Sequence, residues 1–284
     1  MRLRLSDIDP LIDAALREDI PAGDITSESL ISAASRSRAF FLAKEAGVLA
    51  GLGVARRVFE RIDPGVRFRA FLRDGQAFKE GDILAELRGR SISLLKGERT
   101  ALNFLQRMSG IATKTRRFVD AVAGTGAKIL DTRKTTPTLR RLEKYAVRMG
   151  GGENHRSNLS DMVLIKDNHL VLVGSIPEAV RKARERSGRR MFVEVEVGGF
   201  AAAREAVAAG ADRIMLDNMP LNKMRPVVRW LKGKVPVEVS GKVRLERARG
   251  IAGLGVEYIS VGGLTHSFCS VDISLEFKKG KNDA

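Results

Sequence analysis

From about residue 127 onward the chain repeats one hydrophobic pattern. Short β-branched runs end in a polar or glycine cluster, and a stretch with apolar residues three and four apart follows. The runs are AKILD (127–131), MVLIK (162–166), MFVEVEV (191–197), DRIMLD (212–217), VPVEVS (235–240) and EYISV (257–261). The stretches between them, among them SIPEAVRKARERSG, FAAAREAVAAG and LNKMRPVVRWLKG, read as helices, several closed by glycine. The run ends Glu196, Asp217, Ser240 and Gly262 recur at steps of 21, 23 and 22 residues. One strand plus one helix per step predicts parallel pairing. Equal steps favour a (β/α) barrel over an open doubly wound sheet, and no dinucleotide-type GxGxxG follows the first strand.

Residues 1–108 follow another pattern. A helix is expected at about 7–19, then strand-like runs around 38–50, 66–72 and 83–88 separated by DPG, RDGQ and KEGD turns. That predicts an α+β domain with antiparallel strands. A helical stretch over roughly 91–122 leads onward. The segment SVDISLEFKKG (270–280) alternates like a strand and is expected to return to the first domain, with KKGKNDA frayed. The expected division is therefore 1–108 with 270–284, and a barrel over 109–269.

Composition adds limits. The 284 residues, 44% hydrophobic and 30% charged, suffice for a large core. A single cysteine, Cys269, forms no internal disulfide, which fits a reducing compartment. The N-terminus turns acidic too early for a secretory signal, and AGVLAGLGVA (46–55) falls short of the roughly 18–20 residues that span a bilayer. A cytoplasmic location is expected, with no membrane partner. Lys and Arg outnumber Asp and Glu by 50 to 34, a net charge of +16. The basic residues are interspersed with acids, as in RRLEKYAVR, and only 5% of residues are aromatic, too few for a base-stacking platform. Weak, salt-sensitive nucleic-acid retention is expected, and a specific complex is not.

Active sites of (β/α) barrels lie at the C-terminal ends of the strands. There this chain places Asp131, Thr132, Arg133 and Lys134, then Lys166, Asp167, Asn168 and His169. Glu196, Asp217 with Asn218, Ser240 with Gly241, and Gly262 with Gly263 follow, and GGGENHR (150–156) adds His155 and Arg156. Arginine forks grip carboxylate or phosphate, and glycine turns let backbone N–H groups approach phosphate. Glu196 and Asp217 amid these cations suit a Mg²⁺ ion or a cationic transition state. The combination points to a sugar diphosphate and an acid. Blander roles stand beside it: one of Glu194 and Glu196 is expected to face the interior and the other the helices, in a structural ion pair. His169 would orient a neighbour, His266 would close a turn, and Arg140, Arg141 and Arg148 would be solvated.

The segment DTRKTTPTLRRLEKYAVRMGGGENHRSNLSDMVLIKDNHL resembles the signature of the quinolinate phosphoribosyltransferases. Supporting motifs, in order along the chain, are ALREDIPAGDIT, GERTALNFLQRMSGIAT, VEVEV, LDNM, EVSGKV and ISVGGLTHS. The resemblance implies an incomplete barrel of about seven strands beside an α/β sandwich. It implies transfer of phosphoribosyl from 5-phosphoribosyl 1-pyrophosphate (PRPP) to quinolinate with decarboxylation, giving nicotinate mononucleotide for NAD synthesis. By the same resemblance Arg133, His155, Arg156 and Lys166 would hold the carboxylates beside Thr132, and Arg99 would enter from a partner subunit of a homodimer. Lys134 would contact the donor, Glu196 and Asp217 its Mg²⁺ and ribose, and Ser240, Gly241, Lys242, Gly262, Gly263 and His266 its phosphates. Lys134, Lys166, Glu196 and Asp217 would carry the chemistry. Whether dimers stack into a hexamer stays open.

The chain departs from the family pattern at three points. Thr138 stands where many members have the glycine of TPG, Lys242 where glycine or asparagine is commoner, and Asn158 where glycine is frequent. Three rival readings are a molybdenum-operon ModD-like paralogue, a nicotinate or nicotinamide transferase, and a nucleic-acid-binding protein. Two carboxylates account for four or five cations better than one does.

Overall fold

In a computed structural model of the chain, residues 3–187 and 190–278 are described. They hold β1 (Arg36–Ala43), β2 (Gly47–Val48), β3 (Arg67–Ala70), β4 (Ala77–Phe78), β5 (Ile83–Arg90) and β6 (Lys128–Leu130). There follow β7 (Val163–Ile165), β8 (Val193–Val197), β9 (Arg213–Asp217), β10 (Val237–Ser240), β11 (Tyr258–Ser260) and β12 (Ile273–Phe277). The chain divides into two compact units, Met1–Arg116 with Thr136–Gly151 and Ser267–Ala284, and Arg117–Thr135 with Gly152–His266.

The first unit is built on an antiparallel sheet in the order β12-β1-β5-β3, with β2 and β4 paired separately. β1 alternates: Ala39, Phe41 and Ala43 are buried, and Phe41 meets Phe59 with ring centroids 6.2 Å apart. Phe59 lies on the helix Leu52–Ile62, an element that the expectations for residues 1–108 did not include. Asp74 starts that helix by accepting from the amides of Gly51 (3.0 Å) and Leu52 (3.1 Å). β12 pairs with β1 from Ala39↔Phe277 to Ala43↔Ile273, so the tail returns to this sheet. Residues 279–284, most of the segment expected to fray, lie outside the described residues. On the long helix Ser91–Ala121 a Cβ at Gly110 would stand 2.0 Å from the Cys269 carbonyl oxygen, and only glycine allows that approach.

Thr136–Gly151 clusters with the first unit, whereas the sequence reading placed it in the barrel. The reason is polar anchoring of the helix Arg140–Met149. Arg107 donates to the fully buried Glu143 and to Thr136, and Tyr145 donates to Asp74 at 2.7 Å.

The second unit is an all-parallel sheet in the order β6-β11-β10-β9-β8-β7. Helices Ile176–Ser187, Phe200–Ala208, Leu221–Leu231 and Leu245–Ala252 follow β7, β8, β9 and β10 in turn. Val193, Val195, Val197, Ile214, Leu216, Val237, Val239 and Ile259 are all buried and form one apolar face. The sheet has six strands where about seven were expected. Next to β6, Glu153 makes a single parallel bridge with Leu130. Beyond it the His155 amide goes to the Asp131 carboxylate (2.9 Å) instead of to a strand, which ends the ladder.

Candidate active site

Side chains two apart on a strand share a face. Cross-strand register extends this rule: Arg213 pairs with Glu194, Met215 with both Glu196 and Glu238, and Asp217 with Ser240. All therefore lie on the face opposite the valines. The expectation that Glu194 and Glu196 point to opposite sides fails for this reason. Both face inward, Glu194 one layer below Glu196.

The lower layer is a buried charged cluster. Glu194 and Glu238 are fully buried, and the His155 side chain is 6% exposed. His155 Nε2 lies 3.1 Å from Glu194 Oε2 and 3.4 Å from Glu238 Oε2. Arg213 stands 3.1 Å from Glu238 and 3.9 Å from Glu194, its guanidinium 4.1 Å over the Tyr258 ring. Burial pushes the Glu194 carboxyl up, while at Glu238 the same burial is outweighed by His155 and Arg213. At His155 burial opposes protonation and the two carboxylates raise the pKa, but the hydrogen bond accepted at Nδ1, from the Arg156 amide at 2.8 Å, keeps the second proton off the ring. His155, Glu194 and Glu238 also bring one ligand-type atom each within 4.8 Å, as a metal triad would. Arg213 already supplies the positive charge between those carboxylates.

Asp131 ties the two cationic segments together. It is fully buried and accepts from the Asn154 side-chain amide at 2.6 Å and from the His155 amide at 2.9 Å. The strand end DTRK and the loop NHR are thereby fixed to one carboxylate. The consequence shows at Arg156: burial lowers its pKa, and the nearby Arg133 charge lowers it further. Two arginines whose charges bear on each other are a pair of the kind that can grip an anion.

Above the buried cluster, Lys166 at the end of β7 reaches Glu196 Oε2 at 2.7 Å. Its backbone amide donates to His169 Nδ1 at 2.9 Å, so His169 orients its neighbour as expected. Asp217 ends β9 half-buried, accepting from the Asn218 side chain. Glu196 and Asp217 present carboxylate oxygens from adjacent strands, the hard donor set that suits Mg²⁺. Ser240 accepts the Asn218 amide at 3.1 Å, and at Gly241 (φ 92°) a Cβ would fall 2.5 Å from the Asn218 side-chain oxygen. Lys242 follows, exposed and left-handed at φ 48°.

Lys134 is held through its backbone: its amide donates to Thr132 Oγ at 3.0 Å, and its carbonyl accepts from Thr265 at 2.8 Å. Around Gly262 a Cβ would meet Lys134 Cδ at 3.0 Å and His266 Nε2 at 3.3 Å, so both side chains flank this glycine. Gly263 opens the one-turn helix Gly263–His266. Arg99 is exposed on the long helix of the other unit. Sequence reading missed Arg213 and Glu238. Strict two-residue counting back from Asp217 and Ser240 would have found both.

Comparison with known proteins agrees with this arrangement. The family model "Quinolinate phosphoribosyl transferase, N-terminal domain" matches residues 24–109, and its C-terminal counterpart matches 111–276. A protein of Bacillus subtilis (strain 168) named as a probable nicotinate-nucleotide pyrophosphorylase [carboxylating] is 45% identical over 266 residues, 94% of this chain and 92% of its own. The crystal structure of NadC from Streptococcus pyogenes superposes with a TM-score of 0.94 at 44% identity, covering 98% of this chain and 100% of that one. The nicotinate-nucleotide pyrophosphorylase of Francisella tularensis gives 0.93 at 38% identity, with 98% of each chain covered. With both domain models matched in order and relatives aligned along nearly the whole length, the chain belongs to the quinolinate phosphoribosyltransferase family.

Proposed function

We propose that this chain transfers the phosphoribosyl group of PRPP to quinolinate, releasing pyrophosphate and CO₂ and giving nicotinate mononucleotide, the carboxylating nicotinate-nucleotide pyrophosphorylase reaction written in reverse. The observation that carries the reading is the Asp131 carboxylate, which ties the DTRK strand end bearing Arg133 to the NHR loop bearing Arg156. Lys166 adds a third cation near them in the scheme, and Thr132 and His155 complete it. An acceptor with two carboxylates uses these charges fully, which favours quinolinate over nicotinate or nicotinamide.

The roles follow from charge and position. Arg133, Arg156 and Lys166 fix the acceptor so that its ring nitrogen faces C1 of the ribose. Lys134 contacts the donor. Ser240, Gly241, Lys242, Gly262, Gly263 and His266 surround its phosphates with amides and cations. Glu196 and Asp217 would hold a Mg²⁺ ion, which neutralises the leaving pyrophosphate when bound. Nitrogen attack at C1 breaks the bond from C1 to the pyrophosphate oxygen and makes a pyridinium. The adjacent carboxylate then leaves as CO₂, its electron pair staying on ring C2 beside the positive nitrogen until a proton from water is taken up there. Lys166 shifts between Glu196 and a substrate carboxylate, so the two charges are never left bare.

A second copy of the chain completes the site by lending Arg99. Large apolar side chains on each unit favour such a partner: Ile25 and Leu30 on one, Leu159, Val171 and Leu172 on the other, all strongly exposed. Among the described residues no helix is long and apolar enough to cross a membrane, and a cytoplasmic enzyme is the matching assignment. The test is direct. The purified chain, given quinolinate, PRPP and Mg²⁺, should form nicotinate mononucleotide and CO₂ in equal amounts. Faster turnover of nicotinate or nicotinamide would sink the acceptor assignment.

A further inference from the structure

The sequence reading has His155 touching substrate, and in the structure its ring is buried against Glu194 and Glu238. We propose that His155 is a positioning residue: its ring, seated on buried Glu194 and Glu238, receives the Arg156 amide and so sets where the Arg156 guanidinium stands. The inference rests on the reading of Arg156 as part of the acceptor clamp.

Three hydrogen bonds carry it. The His155 backbone amide is held by Asp131 at 2.9 Å, Nε2 is directed at Glu194 at 3.1 Å, and Nδ1 accepts from the Arg156 amide at 2.8 Å. Both ring nitrogens are thus committed to protein atoms, and the side chain is 6% exposed. A direct ligand of a carboxylate would need one of those nitrogens turned toward the acceptor. The carboxylates beneath are themselves immobilised by Arg213, which reaches Glu238 at 3.1 Å and is stacked on Tyr258 at 4.1 Å. Each of Glu194, Arg213, Glu238 and Tyr258 is a sheet residue. A loop residue, Arg156, is therefore referenced to four strands through one imidazole. This is how a guanidinium in a loop acquires the rigidity of the sheet, which a clamp for a planar di-acid requires.

A hydrogen bond from a backbone amide to Nδ1 also fixes the tautomer: the ring carries its hydrogen on Nε2. That gives a readout on the unaltered protein. In ¹H–¹⁵N spectra of the histidine rings, His155 should show a bare Nδ1 and a protonated Nε2, both without ligand and with quinolinate at saturation in the absence of PRPP. The Arg156 Nε–H resonance should move on binding. Protonation of Nδ1 by the bound di-acid, or a ring shift as large as that of Arg156, would make His155 a ligand and overturn the inference. Calorimetry on the same samples reads binding itself. If quinolinate does not bind, the acceptor assignment fails and takes the role of Arg156 with it; if it binds and the ring becomes protonated, the inference alone fails. The variant His155→Phe keeps the bulk and loses the hydrogen bonds. It should raise KM for quinolinate on the order of tenfold to a hundredfold, with KM for PRPP within about twofold of wild type. Equal rises in both constants would contradict a role specific to Arg156. Should that variant not fold, the spectra of the wild-type chain decide.

Discussion

Replacing Asp131 by asparagine tests the physical core of the site most severely, because the change conserves shape and removes one charge. The aspartate accepts two hydrogen bonds, from Asn154 Nδ2 at 2.6 Å and from the His155 amide at 2.9 Å. An asparagine offers one carbonyl oxygen and one NH₂ group, so only one donor can be satisfied and the other faces a donor. A hydrogen bond to a buried ionised group is worth about 1.5–3 kcal/mol, and a buried donor left unmet costs about 1–3 kcal/mol more. With Asp131 fully buried, water does not fill the gap. The expected loss is about 3 kcal/mol, which for a chain of this size corresponds to a fall of roughly 6–12 °C in Tm. Calorimetric melting with and without quinolinate is the assay. The variant should also lose the stabilisation that quinolinate gives the wild type, since the NHR loop is no longer tied to DTRK. A loss below about 0.5 kcal/mol, or undiminished stabilisation by quinolinate, would refute the reasoning.

Three further outcomes are expected. Lys166→Ala breaks a pair whose lysine is 43% exposed, so stability should change by less than about 1 kcal/mol while kcat/KM falls at least about a hundredfold; an unchanged rate constant would remove Lys166 from the chemistry. Thr138 and Lys242 hold left-handed backbone at φ 68° and 48°, so Thr138→Gly should be neutral to about 1 kcal/mol stabilising, read from urea midpoints. Lys242→Gly should gain stability similarly but raise KM for PRPP several-fold in a salt-dependent way, and an unchanged KM would leave that lysine without a role in phosphate binding. Asp63, held by Arg90 and then Ser93 and the Gly65 amide, has its pKa lowered from 3.8 to about 2. A depressed carboxyl stabilises the fold above about pH 4, and the effect is lost as pH falls through the folded pKa near 2, so Asp63→Asn should cost about 1–2 kcal/mol at pH 7 and progressively less down to pH 2 in denaturant titrations.

The βα succession was legible because parallel strands buried on one apolar face leave dense β-branched runs, and equal spacing betrayed the repeated unit. The same regularity hid the charged interior. Glu194, Arg213 and Glu238 each sit inside runs that also contain valine, isoleucine or leucine, and only counting by twos separates the two faces. The helix Leu52–Ile62 was overlooked although Leu52, Ala55, Val58 and Phe59 recur at helical spacing; only its start, held by Asp74, 22 positions from Leu52, was out of reach. The grouping of Thr136–Gly151 likewise depends on a long-range contact, Arg107 with Glu143. Motif residues were easier to nominate: Arg133, Arg156, Lys166 and Glu196 stand out by type and by their place at strand ends or the adjoining loop. The direction of a ring could not be read from type alone, and His155 shows this. The departures at Thr138 and Lys242 become intelligible from φ, for a left-handed backbone is where glycine or asparagine is at ease.

The bridge between Leu130 and Glu153 has an effect on how this barrel can breathe. β6 and β7 share no ladder, so the cylinder is left with a slit, and the joined DTRK and NHR segments form one lip while Lys166 at the end of β7 stands on the other. A planar acid held by Arg133 and Arg156 on one lip and by Lys166 on the other would act as a lace drawn across that slit. Binding would then slow amide exchange at 153–156 far more than in β9 and β10, which are already hemmed by neighbours on both sides.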